Sequence, residues 1–160
     1  MTNQTIATTA SDPTVAAGTS QFLAPVVLGL QALTLNGKQA HWHVRGANFI
    51  GVHEFLDTVV AHAGEWADTA AERIVALGLP IDARANTVGE KVAATKVGAG
   101  FEQSEQVIRS VIADMDAIIA DVQAAIDGLD EVDLTSQDIA IGIKAGLEKD
   151  RWFLFSHLAS

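Results

Sequence analysis

Apolar residues recur three and four positions apart along four long stretches of the chain, and strict alternation persists nowhere. Phe22, Val26, Leu30 and Leu33 form the first stripe, which predicts a helix from about Ser20 to Val44. Pro25 is assigned to its opening turns, where a missing N–H is tolerated, and Gly46 to its stop. The second helix runs from about Asn48 to Leu77, with Gly78 and Pro80 beyond its end. Its span of about 28 residues corresponds to roughly 42 Å. Residues 79–100 are mixed: DARANTVGEKVAAT accommodates a short helix, and KVGAG reads as a turn. Val107, Val111, Met115, Ile118 and Val122 mark a third helix from Glu102 to Ile126, which Gly128 ends. Thr135 is read as the N-cap of a fourth, which carries Ile139, Ile143, Leu147 and Leu154 and closes near His157.

The class is therefore all-α. Four amphipathic helices with one extended middle connection predict a four-helix bundle whose second and third helices are joined by a crossover, the topology of ferritin-like folds. A short extra helix lies in that connection. The division is an N-terminal arm, residues 1–19, short and polar and read as flexible, followed by one bundle domain, residues 20–160.

Composition narrows the chemistry. There is no cysteine, which excludes disulfides and thiolate metal sites and fits a reducing compartment. No signal peptide pattern opens the chain, and the longest apolar stretch, FLAPVVLGL, is half of what a bilayer span needs. A cytoplasmic protein without a membrane role is expected. The net charge of −10 repels phosphate backbones unless a basic patch offsets it. The first 37 residues contain no Lys or Arg. The high Ala content and the 49% apolar composition fit closely packed helices and hint at an oligomer.

The segment HEFLDTVVAHAGEWADTAAE carries the candidate chemistry. His53 and Asp57 are four apart, as are Asp68 and Glu72, so each pair shares a helix face. Asp57 and Asp68, eleven positions apart, point almost the same way but stand about 16 Å apart along the axis. A metal–ligand bond spans only about 2 Å. One copy of this helix cannot close one site with both pairs. Two copies packed antiparallel about a two-fold axis can, with the axis passing near His62 and Ala63, and Ala61 and Gly64 allowing close approach. Each of the two equivalent sites then holds one histidine and three carboxylates. His41 and His43 add nitrogen donors, of which one at most joins the site. His62 is read as interface packing or a supporting group, and Trp42, Trp66 and Trp152 as packing. Nitrogen and carboxylate ligands without thiolate suit Fe, Mn or Zn. The competing reading of the same residues is solvated acids and packed histidines.

The block KQAHWHVRGANFIGVHEFLD, residues 38–57, followed by DTAAER, residues 68–73, resembles the Dps family of miniferritins, and the order of helices matches from about 20 to 158. The resemblance implies a ferroxidase centre, with two irons, between subunits. His41, His53 and Asp57 come from one chain and Asp68 and Glu72 from its partner, with Glu72 the most central ligand and Trp42 beside the inner ligands. Zn or Mn can substitute for Fe there. It also implies a hollow dodecamer of two-fold dimers that oxidises ferrous iron, preferentially with hydrogen peroxide, and stores ferric mineral. Acid-lined three-fold channels are implied as well. DEVDLTSQD places Asp133 and Asp138 in them and leaves Asp130 and Glu131 as a solvated turn, while Gly142 stands where some members carry a further acid.

Two other functions compete with iron oxidation. One is DNA compaction, for which the arm lacks cations, so DNA binding is expected to be weak or absent unless Arg84, Lys91 and Lys96 assemble a patch. The other is metal-dependent hydrolysis, for which no substrate cleft motif is present.

Overall fold

The computed structural model describes residues 12–158. Residues 1–11 and 159–160, and with them most of the expected arm, lie outside the described residues. The elements are α1 (Pro13–His43), β1 (Val44–Arg45), α2 (Phe49–Ala76), α3 (Ala85–Lys91), β2 (Glu102–Gln103), α4 (Ser104–Leu129) and α5 (Leu134–Ser156). α1 packs on α2 and α4, and α5 packs on α4 and α2, which closes the four-helix bundle. α3 is the short helix of the crossover. Leu23, Leu30, Leu56, Ile74, Val111, Met115, Leu147 and Leu154 fill the common core.

α1 opens at Pro13 rather than Ser20. Asp12 accepts the Thr14 N–H at 2.7 Å, and Pro13 takes a first-turn position where its missing N–H costs nothing. Residues 13–19 are therefore helical, with Ala16 and Thr19 buried. Pro25 consequently falls inside the helix and removes the bond that the Gln21 carbonyl would receive. α1 is long and apolar enough to cross a membrane by length and composition alone. Here its apolar surface packs mainly on α2 and α4, while Leu35 and Trp42 remain exposed, at 60% and 62%.

The crossover ends where α1 ends. Val44 pairs with Glu102 and Arg45 with Gln103 in a parallel bridge. Two residues per strand are too few to leave an alternating pattern. The bend that follows needs Gly46 at φ 94°, and a Cβ there would strike Gln103. Ser104 Oγ donates to the Ala47 carbonyl at 2.6 Å, which ties the start of α4 to the turn between α1 and α2. α4 starts at Ser104 because Glu102 and Gln103 are held in that bridge.

Two termini differ from expectation for tertiary reasons. Gly128 lies within α4, not at its end: a Cβ at this position would collide with the Phe22 ring, so the glycine serves close packing of α1 on α4. Asp133, rather than Thr135, caps α5 by accepting the Ser136 N–H at 3.2 Å. The same carboxylate pairs with Arg73 of α2 at 2.7 Å, and Arg73 Nε donates to Ser136 Oγ at 3.0 Å. Burial pushes the Asp133 carboxyl up, but the bonds from Arg73 and Ser136 outweigh it and hold it below its ordinary value. A depressed folded pKa adds stability above the unfolded carboxyl value of about 3.9, and that stability is lost as pH falls through the folded value. Asp133→Ala, which removes the cap and the Arg73 partner together, should cost about 2 kcal/mol at neutral pH. In urea melts, the difference from the parent should shrink towards pH 3 and below.

α2 separates two faces cleanly. Val52, Leu56, Val59, Ala63, Ala67, Ala70 and Ile74 face the core. Ile50, Glu54, Asp57, Ala61, Glu65, Asp68, Glu72 and Val75 are exposed along the opposite stripe.

Candidate metal centre

The C-terminal turn of α1 meets the N-terminal half of α2 at three side chains. The His41 and His53 rings stack with centroids 3.7 Å apart and planes 21° from parallel. His41 Nδ1 lies 2.8 Å from the His53 carbonyl, and His53 Nδ1 lies 2.9 Å from the His41 carbonyl. A carbonyl can only accept, so each Nδ1 carries a proton, and in the neutral imidazole it is Nε2 that keeps the lone pair. This is how a backbone acceptor fixes the tautomer of a metal-ligating histidine. His41 is buried, and Phe49 packs 5.1 Å from the His53 ring. The reciprocal bonds follow from local sequence: α1 runs to His43, and the tight RGAN turn returns the chain so that His53 lies beside His41.

Asp57 lies one turn beyond His53. Its carboxylate is 3.3 Å from His41 Nδ1 and 2.5 Å from Lys38 Nζ, and about half its side-chain surface is exposed. The Lys38 bond holds the Asp57 carboxyl below its ordinary value; desolvation opposes this, and the nearby charges of His41, Lys38 and His53 reinforce it. Lys38 did not emerge from sequence. It lies three residues before His41 and so shares its side of α1, but only the packing of α1 on α2 brings it to Asp57. Its ammonium stands directly against an Asp57 carboxylate oxygen.

Asp68 and Glu72 are exposed on the same stripe of α2 as Asp57, and one helix carries both pairs, so the axial gap of about 16 Å persists within a chain. Among the described residues, no three His, Asp or Glu side chains of one chain converge closely enough to hold an ion. The midpoint of the two pairs presents Ala61 outward, while Ala63 is fully buried in the core. His43 turns away from the pair, its Nδ1 2.8 Å from the Gln39 carbonyl and its ring 5.4 Å from Phe101. His62 points to α5, with Nδ1 2.8 Å from the buried Asp150 carboxylate. Sequence offered it no acid four residues away; its partner comes from another helix. Trp42 is exposed beside His41. Trp66 occupies the space left by Gly146, whereas Trp152 is exposed. Of the channel candidates, Asp138 is exposed and Asp133 is engaged by Arg73 and Ser136.

The ferritin-like domain family matches residues 29–160. The DNA protection during starvation protein of Mycolicibacterium smegmatis is 35% identical over 132 residues, covering 80% of this chain and 70% of that protein. The chain belongs to the Dps family. General stress protein 20U of Bacillus subtilis is 33% identical over 120 residues, covering 74% of this chain and 81% of its own length. Among solved structures, Dps from Microbacterium arborescens in its high iron form superposes with a TM-score of 0.93 at 65% identity, over 96% of this chain and all of that one. A Mycobacterium smegmatis Dps superposes at 0.88 with 30% identity, over 100% of this chain and 96% of that one. Membership in Dps accounts for the bundle and the crossover helix together.

Proposed function

We propose that this Dps protein oxidises ferrous iron at centres shared between two copies of the chain and stores the ferric product inside a closed shell, a dodecamer of two-fold dimers in the cytoplasm. The observation that carries this is the pair of half-sites on α2. His41, at the end of α1, and His53 have Nδ1 engaged by backbone carbonyls, which leaves Nε2 of each neutral ring to bind an ion at one end, and Asp68 and Glu72 present two exposed carboxylates at the other. Antiparallel pairing about a two-fold axis joins each end to its complement. In each joined site His41, His53 and Asp57 of one chain, with the partner's Asp68 and Glu72, bind iron as substrate, two ions per centre. Neutral imidazoles bind ferrous ion without adding charge, and hard carboxylates favour the ferric product. The partner's Glu72 is assigned the central position, and Trp42 lies against the ligands. Zn or Mn would fit the same donors without the same redox outcome.

Hydrogen peroxide is the preferred oxidant. Two ferrous ions each give one electron, the O–O bond breaks, and both oxygens leave as oxide or hydroxide bound to ferric iron. Hydrolysis of the product releases protons. Because both electrons are delivered within one centre, no hydroxyl radical escapes. Asp138, exposed at the start of α5, is assigned to the entry channel, with Asp133 behind it as a structural cap.

DNA association is proposed to be weak or absent. Counterion release needs unpaired cations, and the sequence holds no Lys or Arg before Lys38. Arg84 is already clamped on Asp82 by two bonds of 2.8 Å. Metal-dependent hydrolysis gains no support from the sequence, which carries no substrate cleft motif.

The test is anaerobic ferrous loading followed by peroxide. Expected is consumption of one peroxide per two ferrous ions, with the iron then eluting with a high-mass protein shell. Iron that elutes separately, or one peroxide consumed per single ferrous ion, would overturn the proposal.

A further inference from the structure

A cavity of about 670 Å³ lies between α1, α4 and residues 91–96 of the crossover, and none of the residues assigned to the iron chemistry lines it. That volume is within the range of about 300–1,000 Å³ that small-molecule sites occupy. Its walls carry short side chains: Ala24 and Ala32 on α1, Ala113 and Ala117 on α4, and Ala93 and Ala94 on the crossover. The space exists because alanines stand where larger apolar residues would fill it, and unfilled apolar space forfeits dispersion contacts.

The crossover is pinned over this space. Asp114 of α4 accepts from the Thr95 hydroxyl, from the Lys96 backbone N–H at 3.3 Å and from the Asn36 amide at 3.5 Å. One carboxylate thus ties the crossover to both helices, and its oxygens are already engaged.

Asp121, the other carboxylate lining the cavity, is not engaged. Among the described residues it has no hydrogen-bond or ion-pair partner. Burial pushes its carboxyl up, and no cation of the chain opposes that shift. Gln21 and Pro25 line the same cavity. Pro25 has no N–H, so the Gln21 carbonyl lacks its helical donor. The cavity therefore holds two acceptors that the chain itself does not supply with donors. Lys91 and Lys96 also line it from the crossover; both are exposed, and neither forms an ion pair with Asp121.

We propose that this cavity binds an organic ammonium ion with an apolar body, its N–H groups donating to Asp121 and to the Gln21 carbonyl while its hydrocarbon part lies among the alanines. An ammonium group carries donors and no acceptor, which complements groups that only accept. An anionic head would meet Asp121 as a like charge. The proposal makes no use of the shared metal site, so the two readings stand or fall separately.

The sign of the ligand's charge is the property to test. Calorimetric titration of the assembled protein with octylammonium, 1-octanol and octanoate compares three heads on one hydrocarbon chain. Expected is saturable binding of one octylammonium per chain, about tenfold tighter than octanol or more, with octanoate weakest. Asp121→Asn keeps the shape and removes the charge, so it should weaken octylammonium about tenfold and leave octanol unchanged. Ala117→Leu, which fills the cavity, should weaken both. Both variants should keep the parental assembly mass and rate of ferrous oxidation. Octanoate binding more tightly than octylammonium would overturn the proposal and assign the cavity to an anion held by Lys91 and Lys96. Octylammonium binding that Asp121→Asn leaves unchanged would also overturn it, as adsorption to an acidic surface. So would the absence of binding to the assembled protein, which would mean that another copy covers the cavity.

Discussion

Asp68→Ala/Glu72→Ala should assemble into a shell of parental mass and oxidise ferrous iron with peroxide at least about a hundredfold more slowly. Loss of a supporting group around a metal costs about 10–100-fold, and this variant removes two of the proposed ligands themselves. Both side chains are exposed in the chain, and neither contributes to the core, so the fold should tolerate their loss. Thermal unfolding should stay within about 0.5 kcal/mol of the parent, while stopped-flow absorbance reads the oxidation rate. The asymmetry between these two readouts is what identifies a site rather than a structural defect. A parental rate would remove these residues from the centre. The histidine half should behave differently. His41 is buried, and its ring and backbone are tied to His53, so His41→Ala is expected to lower stability as well as activity.

The second prediction is complementation between dead proteins. A chain with His53→Ala and Asp57→Ala keeps its carboxylate half, and a chain with Asp68→Ala and Glu72→Ala keeps its histidine half. Each assembled alone is inactive. When equal amounts are unfolded together and reassembled, about half of the two-fold dimers are mixed, and each mixed dimer carries one intact centre and one doubly defective centre. About a quarter of the parental oxidation rate should return. A site built within one chain gives no recovery at any mixing ratio, so the experiment separates the two arrangements. Simple mixing of preassembled shells should restore nothing, which controls for exchange of loosely bound iron.

Much of the architecture was written in local pattern. Helical spacing in α2 and α4 gave their extent to within a few residues, because one face of each is continuously apolar. Gly78, at positive φ, ended α2 as its position implied. The start of α1 was misplaced because the capping signal, Asp12 and Pro13, lies in a segment with few large apolar residues. Gly128 was read as a stop because a glycine after an apolar run is the common terminator, whereas here Phe22 from another helix required the space. Thr135 and Asp133 are both good capping residues; Arg73, sixty positions away, favoured Asp133.

The sequence by itself determined that one helix bears a His/Asp pair and an Asp/Glu pair too far apart to act together, because rise per residue and angular period are properties of the backbone and need no tertiary information. It equally determined that thiolate chemistry is absent. Only the tertiary structure decided which histidine of His41 and His43 faces α2, that its tautomer is fixed by a reciprocal bond with His53, that Lys38 stands over Asp57, and that Ala63 is turned into the core while Ala61 faces outward. Those facts depend on how α1 is rotated against α2. That rotation is set by the packing of the whole bundle and not by any residue spacing along the chain.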